Sequence, residues 1–142
     1  MRRAIHLARA AHGSTTPNPA VGCVILKAGK VVAEAATAPG GRPHAEEIAL
    51  DVAGELARGA EAYVTLEPCG ARTSGAASCA ERLARSGVER VYIACSDPSP
   101  MASGRGVETL LGAGVTVETG LLAEEASDLY AAWTAAHAKA NG

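Results

Sequence analysis

Short apolar runs alternate with helical periodicities along this chain, and the alternation predicts its elements. Arg2–Ala11 reads as a short helix. Ser14–Pro19 holds two prolines and an asparagine, which disrupt regular structure, so it reads as a loop. Val21–Leu26 is a continuous apolar strand. Ala28-Gly29-Lys30 turns the chain into a second strand at Val31–Glu34, giving a hairpin. Thr37–Pro43, with two adjacent glycines, is a loop. His44–Ala57 is the next helix, followed by a strand at Ala62–Leu66 and a helix at Cys79–Ser86. Val91–Cys95 reads as a buried strand. Gly106–Leu111 reads as a helix ended by Gly112 and Gly114, and Val115–Glu118 as the last strand. Leu122, Ala126, Leu129, Tyr130 and Trp133 then mark one face of a final helix. A hairpin followed by βα units predicts an α/β fold, with a mixed five-stranded sheet between helices on both faces. Ligands in such sheets sit beyond the carboxyl ends of the strands, so the loops there carry the chemistry.

Composition narrows the class. The 142 residues suit one domain over 1–142, and 48% hydrophobic with 20% charged residues is an ordinary globular mixture. With no Phe, one Trp and three Tyr, the core must come from Val, Ile, Leu and much Ala. Such side chains bury little area each, which favours self-association as a homodimer or homotetramer. A net charge of −2 with no long run of either sign speaks against a nucleic-acid or membrane-surface binder. No apolar stretch approaches the ~20 residues of a membrane span. Met1-Arg2-Arg3 has the charge of a signal peptide's start, but His6, Arg9 and His12 interrupt the apolar run that would have to follow. The expected location is cytoplasmic, where four cysteines are more often ligands or core residues than disulfides.

Three short pieces carry candidate chemistry. They are Pro43-His44-Ala45-Glu46, then Glu67-Pro68-Cys69 after a predicted strand, then Cys79 opening a predicted helix. One imidazole and two thiolates make a borderline-soft site suited to Zn2+, and three protein ligands leave a fourth position open, the catalytic pattern. The expected metal ligands are therefore His44, Cys69 and Cys79. Zinc lowers the pKa of a bound water from about 15.7 to about 7. A carboxylate beside the metal can take that proton and deliver it to a departing amine, a role that suits Glu46. Residues two apart on a regular helix do not face each other, so spacing alone does not bring Glu46 to the site.

His44-Ala45-Glu46 with Pro68-Cys69 matches part of the zinc nucleobase deaminase signature, H-x-E followed by P-C-x-x-C. The second cysteine is displaced: nine residues separate Cys69 from Cys79. With this longer spacing the chain resembles the deaminase domain of the riboflavin-biosynthesis bifunctional deaminase/reductase, within the cytidine deaminase-like superfamily. The resemblance runs from roughly Ala4 to Leu129. It is carried by Thr15-Thr16-Pro17-Asn18-Pro19-Ala20-Val21-Gly22, by Gly41–Glu46 and by Tyr63-Val64-Thr65-Leu66-Glu67-Pro68-Cys69. It continues through Arg72-Thr73, Gly87-Val88-Glu89-Arg90-Val91, Asp97-Pro98-Ser99-Pro100 and Ser103-Gly104-Arg105-Gly106. It implies a three-layer α/β/α fold, the same three zinc ligands and Glu46 as proton shuttle. It also implies a hydrolytic reaction in which zinc-bound hydroxide attacks a ring carbon and ammonia leaves. The implied substrate is a phosphoribosylamino-diaminopyrimidinone, with Asn18 hydrogen-bonded to its ring.

The departures from the family fall where it handles substrate. Thr37 stands where the family usually has a His, and Ser99 where it usually has an Asn. The Gly70–Ser78 run is one residue longer than usual and lacks a His. Thr37 and Arg72 are the remaining candidates for substrate contact, Arg72 as a phosphate partner. No reductase half follows the last helix, so a reductase would be a separate chain. Plainer readings stand beside these. Asn18 could merely hold its turn, Arg72 could be a solvated loop charge, and the Ser103–Gly106 segment could be a helix cap and turn. Cys23 and Cys95 read as core residues, and His6, His12 and His137 receive no role. The competing functions are a related deaminase of another nucleobase, nucleoside or natural-product intermediate, a tRNA deaminase, and a zinc-stabilised scaffold without activity.

Overall fold

The computed structural model describes the backbone of residues 1–72, 75–99 and 102–141, and side chains within those ranges as far as His137. The elements run α1 (Arg2–Ala11), β1 (Gly22–Lys27), β2 (Lys30–Ala36), α2 (Ala45–Ala53), β3 (Glu61–Leu66), α3 (Cys79–Ser86), β4 (Arg90–Cys95), α4 (Arg105–Gly112), β5 (Thr116–Thr119) and α5 (Ala123–Asn141). The sheet order is β2-β1-β3-β4-β5. β1 is antiparallel to both β2 and β3, whereas β3, β4 and β5 are parallel. This is the expected mixed five-stranded sheet.

Two apolar clusters explain the layering. Small side chains of α2 and α3 (Ala45, Ala49, Ala53, Ala80) pack with Leu83 and Leu110 against Cys23, Ile25, Val64, Val91 and Ile93 of the sheet. Ile5, Ala8, Ala126, Leu129 and Tyr130 of α1 and α5 close around Leu66 and Ala94. The alanines let helices approach the strands closely. At Gly22 the approach needs no side chain at all, because a Cβ there would sit 1.9 Å from the Ala4 carbonyl oxygen. In the second cluster the buried Tyr130 hydroxyl lies 2.6 Å from Thr65 Oγ1 and donates to Ala20 O at 2.7 Å, so its polar end is satisfied.

The structure departs from expectation at one helix. The His44–Ala57 helix ends as α2 at Ala53, because Gly54 has φ 54° and the chain continues as a 3₁₀ turn over Gly54–Ala57. His44 is the residue before α2, in extended backbone, with Glu47 Oε2 accepting from its N–H at 3.3 Å. Ser78 precedes α3 in the same extended backbone, and its hydroxyl accepts from Glu81 N at 3.1 Å. Each helix therefore starts beside a residue that the site needs.

Candidate active site

β3 delivers Glu67, Pro68 and Cys69 beyond its carboxyl end, the start of α3 delivers Cys79, and the start of α2 delivers His44. One ligand atom from each of His44, Cys69 and Cys79 falls within 4.8 Å of the others. His44 Nδ1 is 3.3 Å from Cys79 Sγ, and the Cys79 N–H donates to Cys69 Sγ at 3.3 Å. Zn–S bonds of about 2.3 Å and Zn–N bonds of about 2.0 Å at tetrahedral angles separate ligand atoms by roughly 3.5–3.8 Å. The His44 Nδ1 to Cys79 Sγ separation is close to that value, and Cys69 Sγ lies within 4.8 Å of both. The two thiols lean on each other: the hydrogen bond between them pulls Cys69 down to about 4 and pushes Cys79 up. The backbone N–H at the start of α3 adds to the pull on Cys69.

Glu46 lies in the first turn of α2 and is buried. Its Oε1 has no hydrogen-bond partner among the described residues. Burial pushes its carboxyl up, while the nearby His44 acts the other way. A buried carboxylate oxygen without a protein partner is costly unless a ligand or solvent completes it. The turn from His44 into α2 supplies the convergence that i, i+2 spacing on a regular helix would not.

A cavity of about 290 Å³ opens over these groups, and Asn18, Thr37, Arg72 and Ser99 all line it. Asn18 Nδ2 donates to Gly41 O at 2.8 Å, which holds the Pro-Asn-Pro loop against the Gly41 loop. Gly41 has φ 95°, and a Cβ there would sit 2.9 Å from that amide nitrogen. Thr37 Oγ1 accepts from Val21 N at 2.9 Å, so its hydroxyl ties two chain segments together as well as facing the cavity. Arg72 is almost buried, paired with Glu47, and its guanidinium lies 3.8 Å from Cys79 Sγ. Both of those contacts are made by one guanidinium nitrogen, so the inter-cysteine arginine is not a solvated loop charge, and it still lines the cavity. Thr73, Ser74 and Pro100 of the sequence motifs lie outside the described residues.

The Ser103–Gly106 segment starts α4, and Gly106 packs on the site: a Cβ there would sit 2.0 Å from Pro68 O. Glu67 Oε2 accepts from Val107 N at 3.4 Å and so caps that helix. The plain cap-and-turn reading describes both.

Three cavity residues escape the sequence reading. Arg42 is exposed at the cavity's edge and forms no ion pair among the described residues. Trp133 and His137 of α5 also line the cavity, their rings 4.0 Å apart. Trp133 Nε1 donates to Asp97 Oδ1 at 2.9 Å, and the same oxygen accepts from Ser99 N at 2.8 Å. Asp97 thus fastens α5 to the loop after β4. His137, left without a role by sequence, turns its Nδ1 to Trp133 O at 2.9 Å, which leaves Nε2 as its other polar atom.

Residues 1–95 match the family model of the cytidine and deoxycytidylate deaminase zinc-binding region. The chain belongs to this deaminase family. The deaminase is a hydrolytic enzyme and its cofactor is zinc, which His44, Cys69 and Cys79 could hold. It is 46% identical over 129 residues to the riboflavin biosynthesis protein RibD of Aquifex aeolicus, covering 91% of this chain and 36% of that protein. The chain thus spans about a third of that relative's length. It is also 46% identical over 125 residues to the diaminohydroxyphosphoribosylamino-pyrimidine deaminase of Buchnera aphidicola (strain APS), covering 88% of this chain and 84% of that one. Among solved structures, Acinetobacter baumannii RibD superposes with a TM-score of 0.89 at 45% identity, over 96% of this chain and 38% of that one. The deaminase therefore has the three-layer α/β/α fold of its cytidine deaminase-like relatives. No helix among its described residues is long and apolar enough to cross a membrane.

Proposed function

We propose that the deaminase acts on the phosphoribosylamino-diaminopyrimidinone intermediate of riboflavin biosynthesis, exchanging a ring amino group for oxygen. The observation that carries this reading is the buried, unpartnered Glu46 Oε1 beside the His44, Cys69 and Cys79 group, at the floor of a cavity with cationic side chains at its edge. The relative of matching length named for deaminating such a pyrimidine supports the substrate class. Zinc, when bound, supplies Lewis-acid activation of water. Glu46 Oε1 accepts a proton from the attacking water and gives a proton to the departing amino nitrogen. The exocyclic bond from the ring carbon to the amino nitrogen breaks, a carbonyl takes its place and ammonia leaves. Asn18 and Thr37 line the wall near the ring, and their bonds to Gly41 and Val21 keep that wall rigid.

The phosphoribosyl end belongs at the open edge, with Arg42 and His137. With Nδ1 of His137 held by the Trp133 carbonyl, Nε2 is the ring atom left to meet the phosphate. Arg42→Ala and His137→Gln are each expected to raise KM for the phosphorylated substrate about 10-fold with kcat little changed, since each removes binding common to ground and transition states. Steady-state kinetics on the phosphorylated and dephosphorylated pyrimidines checks this. Equal effects on both substrates would remove the phosphate role.

The test of the function itself follows ammonia release from the phosphorylated precursor and from a panel of free amino-pyrimidines and purines. A second reading, a related deaminase of an unphosphorylated small molecule, is favoured by one observation: the inter-cysteine arginine is taken up by Glu47. Activity confined to free bases would establish that second reading. The exposed Val52 and Leu56, at α2 and the turn after it, support association of copies. Light scattering at micromolar concentration is expected to give a dimer or tetramer; a monomer alone would contradict this.

A further inference from the structure

Two of the three metal-site residues are joined to each other through a second pair of side chains. Glu47 Oε2 accepts the His44 backbone N–H at 3.3 Å. The other carboxylate oxygen of Glu47 pairs with Arg72, and both side chains are almost wholly buried, 12% and 13% exposed. The same Arg72 nitrogen lies 3.8 Å from Cys79 Sγ. The chain of contacts runs from the backbone at His44 through Glu47 and Arg72 to the sulfur of Cys79. No sequence motif links Glu47 to Arg72, which are separated by β3 and the first part of the inter-cysteine loop.

We propose that the Glu47–Arg72 pair is an outer clamp on the metal centre, in which Arg72 positions the Cys79 sulfur and moderates its charge while Glu47 positions both Arg72 and His44. The charges favour such a device. Zinc with two thiolates and the Glu46 carboxylate sums to −1 in a buried site. A guanidinium beside one sulfur offsets that excess, and Glu47 keeps the guanidinium from swinging into the cavity. A cation near a ligating thiolate draws electron density from it, so zinc stays the stronger Lewis acid. An arginine suits the task because it stays charged when buried, and one of its terminal nitrogens reaches a carboxylate and a sulfur at once. Arg72 and Glu47 are positioning residues here, since neither meets the reacting atoms. The inference rests on the zinc-deaminase reading of the site and not on the identity of the substrate.

The test measures the metal directly, on the full chain. Zinc affinity is read by competition with a chromophoric chelator, and cobalt-substituted protein is read by its thiolate-to-cobalt charge-transfer band. Outer partners of metal ligands are typically worth about 10–100-fold in affinity. Arg72→Met is expected to weaken zinc by that factor and to shift the band, and Glu47→Gln to do so more weakly. The double variant should lose no more than Arg72→Met alone, because the two act as one unit. Arg72→Lys retains the charge without the fork and should recover part of the affinity; it also replaces Arg72→Met should that variant fail to fold. Unchanged zinc affinity and an unchanged cobalt band in the folded variants would overturn the clamp, whatever happens to their melting temperature. A rise in KM alone, with both metal readouts at wild-type values, would likewise overturn it and return Arg72 to substrate binding. Because both readouts are taken without substrate, the clamp and the riboflavin assignment can fail independently.

Discussion

Glu46→Gln is expected to keep the fold and the zinc and to lose about 10²–10⁴-fold in kcat, the usual worth of a general acid–base group. The amide matches the acid in shape, so the packing around a side chain only 4% exposed is preserved. What changes is one atom's chemistry. Glu46 Oε1 meets no donor among the described residues, so the substitution breaks no protein hydrogen bond at that oxygen. The loss should therefore appear in turnover and not in stability. Burial, which holds the carboxyl above its ordinary range, makes the group a better base for a proton that must be taken up and then returned. Glu46→Asp supplies a second reading of the same role. It keeps the acid but withdraws it by one methylene, and a misplacement of about 1 Å can itself cost about 10²-fold. Zinc content, melting temperature and steady-state turnover measured on the same preparations separate these effects. Near-normal turnover in zinc-loaded Glu46→Gln would take Glu46 out of the mechanism.

The metal site was more legible in the sequence than the cavity around it, for a physical reason. His44, Cys69 and Cys79 stand at helix starts and just past a strand end, places that hydrophobic patterning marks well. Strands bounded by glycine or by polar turns, such as Glu61–Leu66 and Arg90–Cys95, were likewise readable to within a residue or so. The break in the second helix at Gly54 was not, because the apolar pattern runs on through Leu56 while the backbone turns away. Trp133 shows the limit of periodicity. Its spacing places it on the apolar stripe of α5 with Leu129 and Tyr130, yet its indole N–H is fixed on Asp97 and its ring faces the cavity. Which part of a helical stripe reaches a site depends on how the helix crosses the sheet, and that is a tertiary property. Glu47 and Arg72 were opaque for the same cause. Arg72 reads from sequence as a phosphate partner or a loop charge, and only the folding of α2 against the inter-cysteine loop buries it with Glu47. Arg42 sits beside His44 in sequence, but its place at the cavity edge comes from the turn that brings the Asn18 and Gly41 loops together.

Cys69→Ser and Cys79→Ser are each expected to drop bound zinc from about one ion per chain to a small fraction, and activity with it, because each leaves only two protein ligands where a catalytic site needs three. A serine hydroxyl is a poor substitute: it is harder than sulfur and gives up its proton to a metal far less readily than a thiol does. Cys69 receives the Cys79 N–H at 3.3 Å at the start of α3, a position that favours the anion. The other two cysteines provide the contrast. Cys23 is wholly buried in β1, and burial pushes its thiol far up, so it stays neutral and apolar in character. Cys95 is also pushed up by burial, and its thiol lies 3.7 Å from the Ala123 carbonyl oxygen. Cys23→Ala and Cys95→Ala should therefore retain zinc at the wild-type ratio even if packing loosens. Metal analysis of all four variants, alongside wild-type protein stripped by a chelator and reloaded with zinc, reads the assignment without reference to any substrate. Activity should vanish on stripping and return on reloading in the wild type and in Cys23→Ala and Cys95→Ala, and in neither serine variant. Full zinc retention by Cys69→Ser would sink the ligand set, and equal loss in Cys23→Ala would mean that the metal is lost through the fold and not through its ligands.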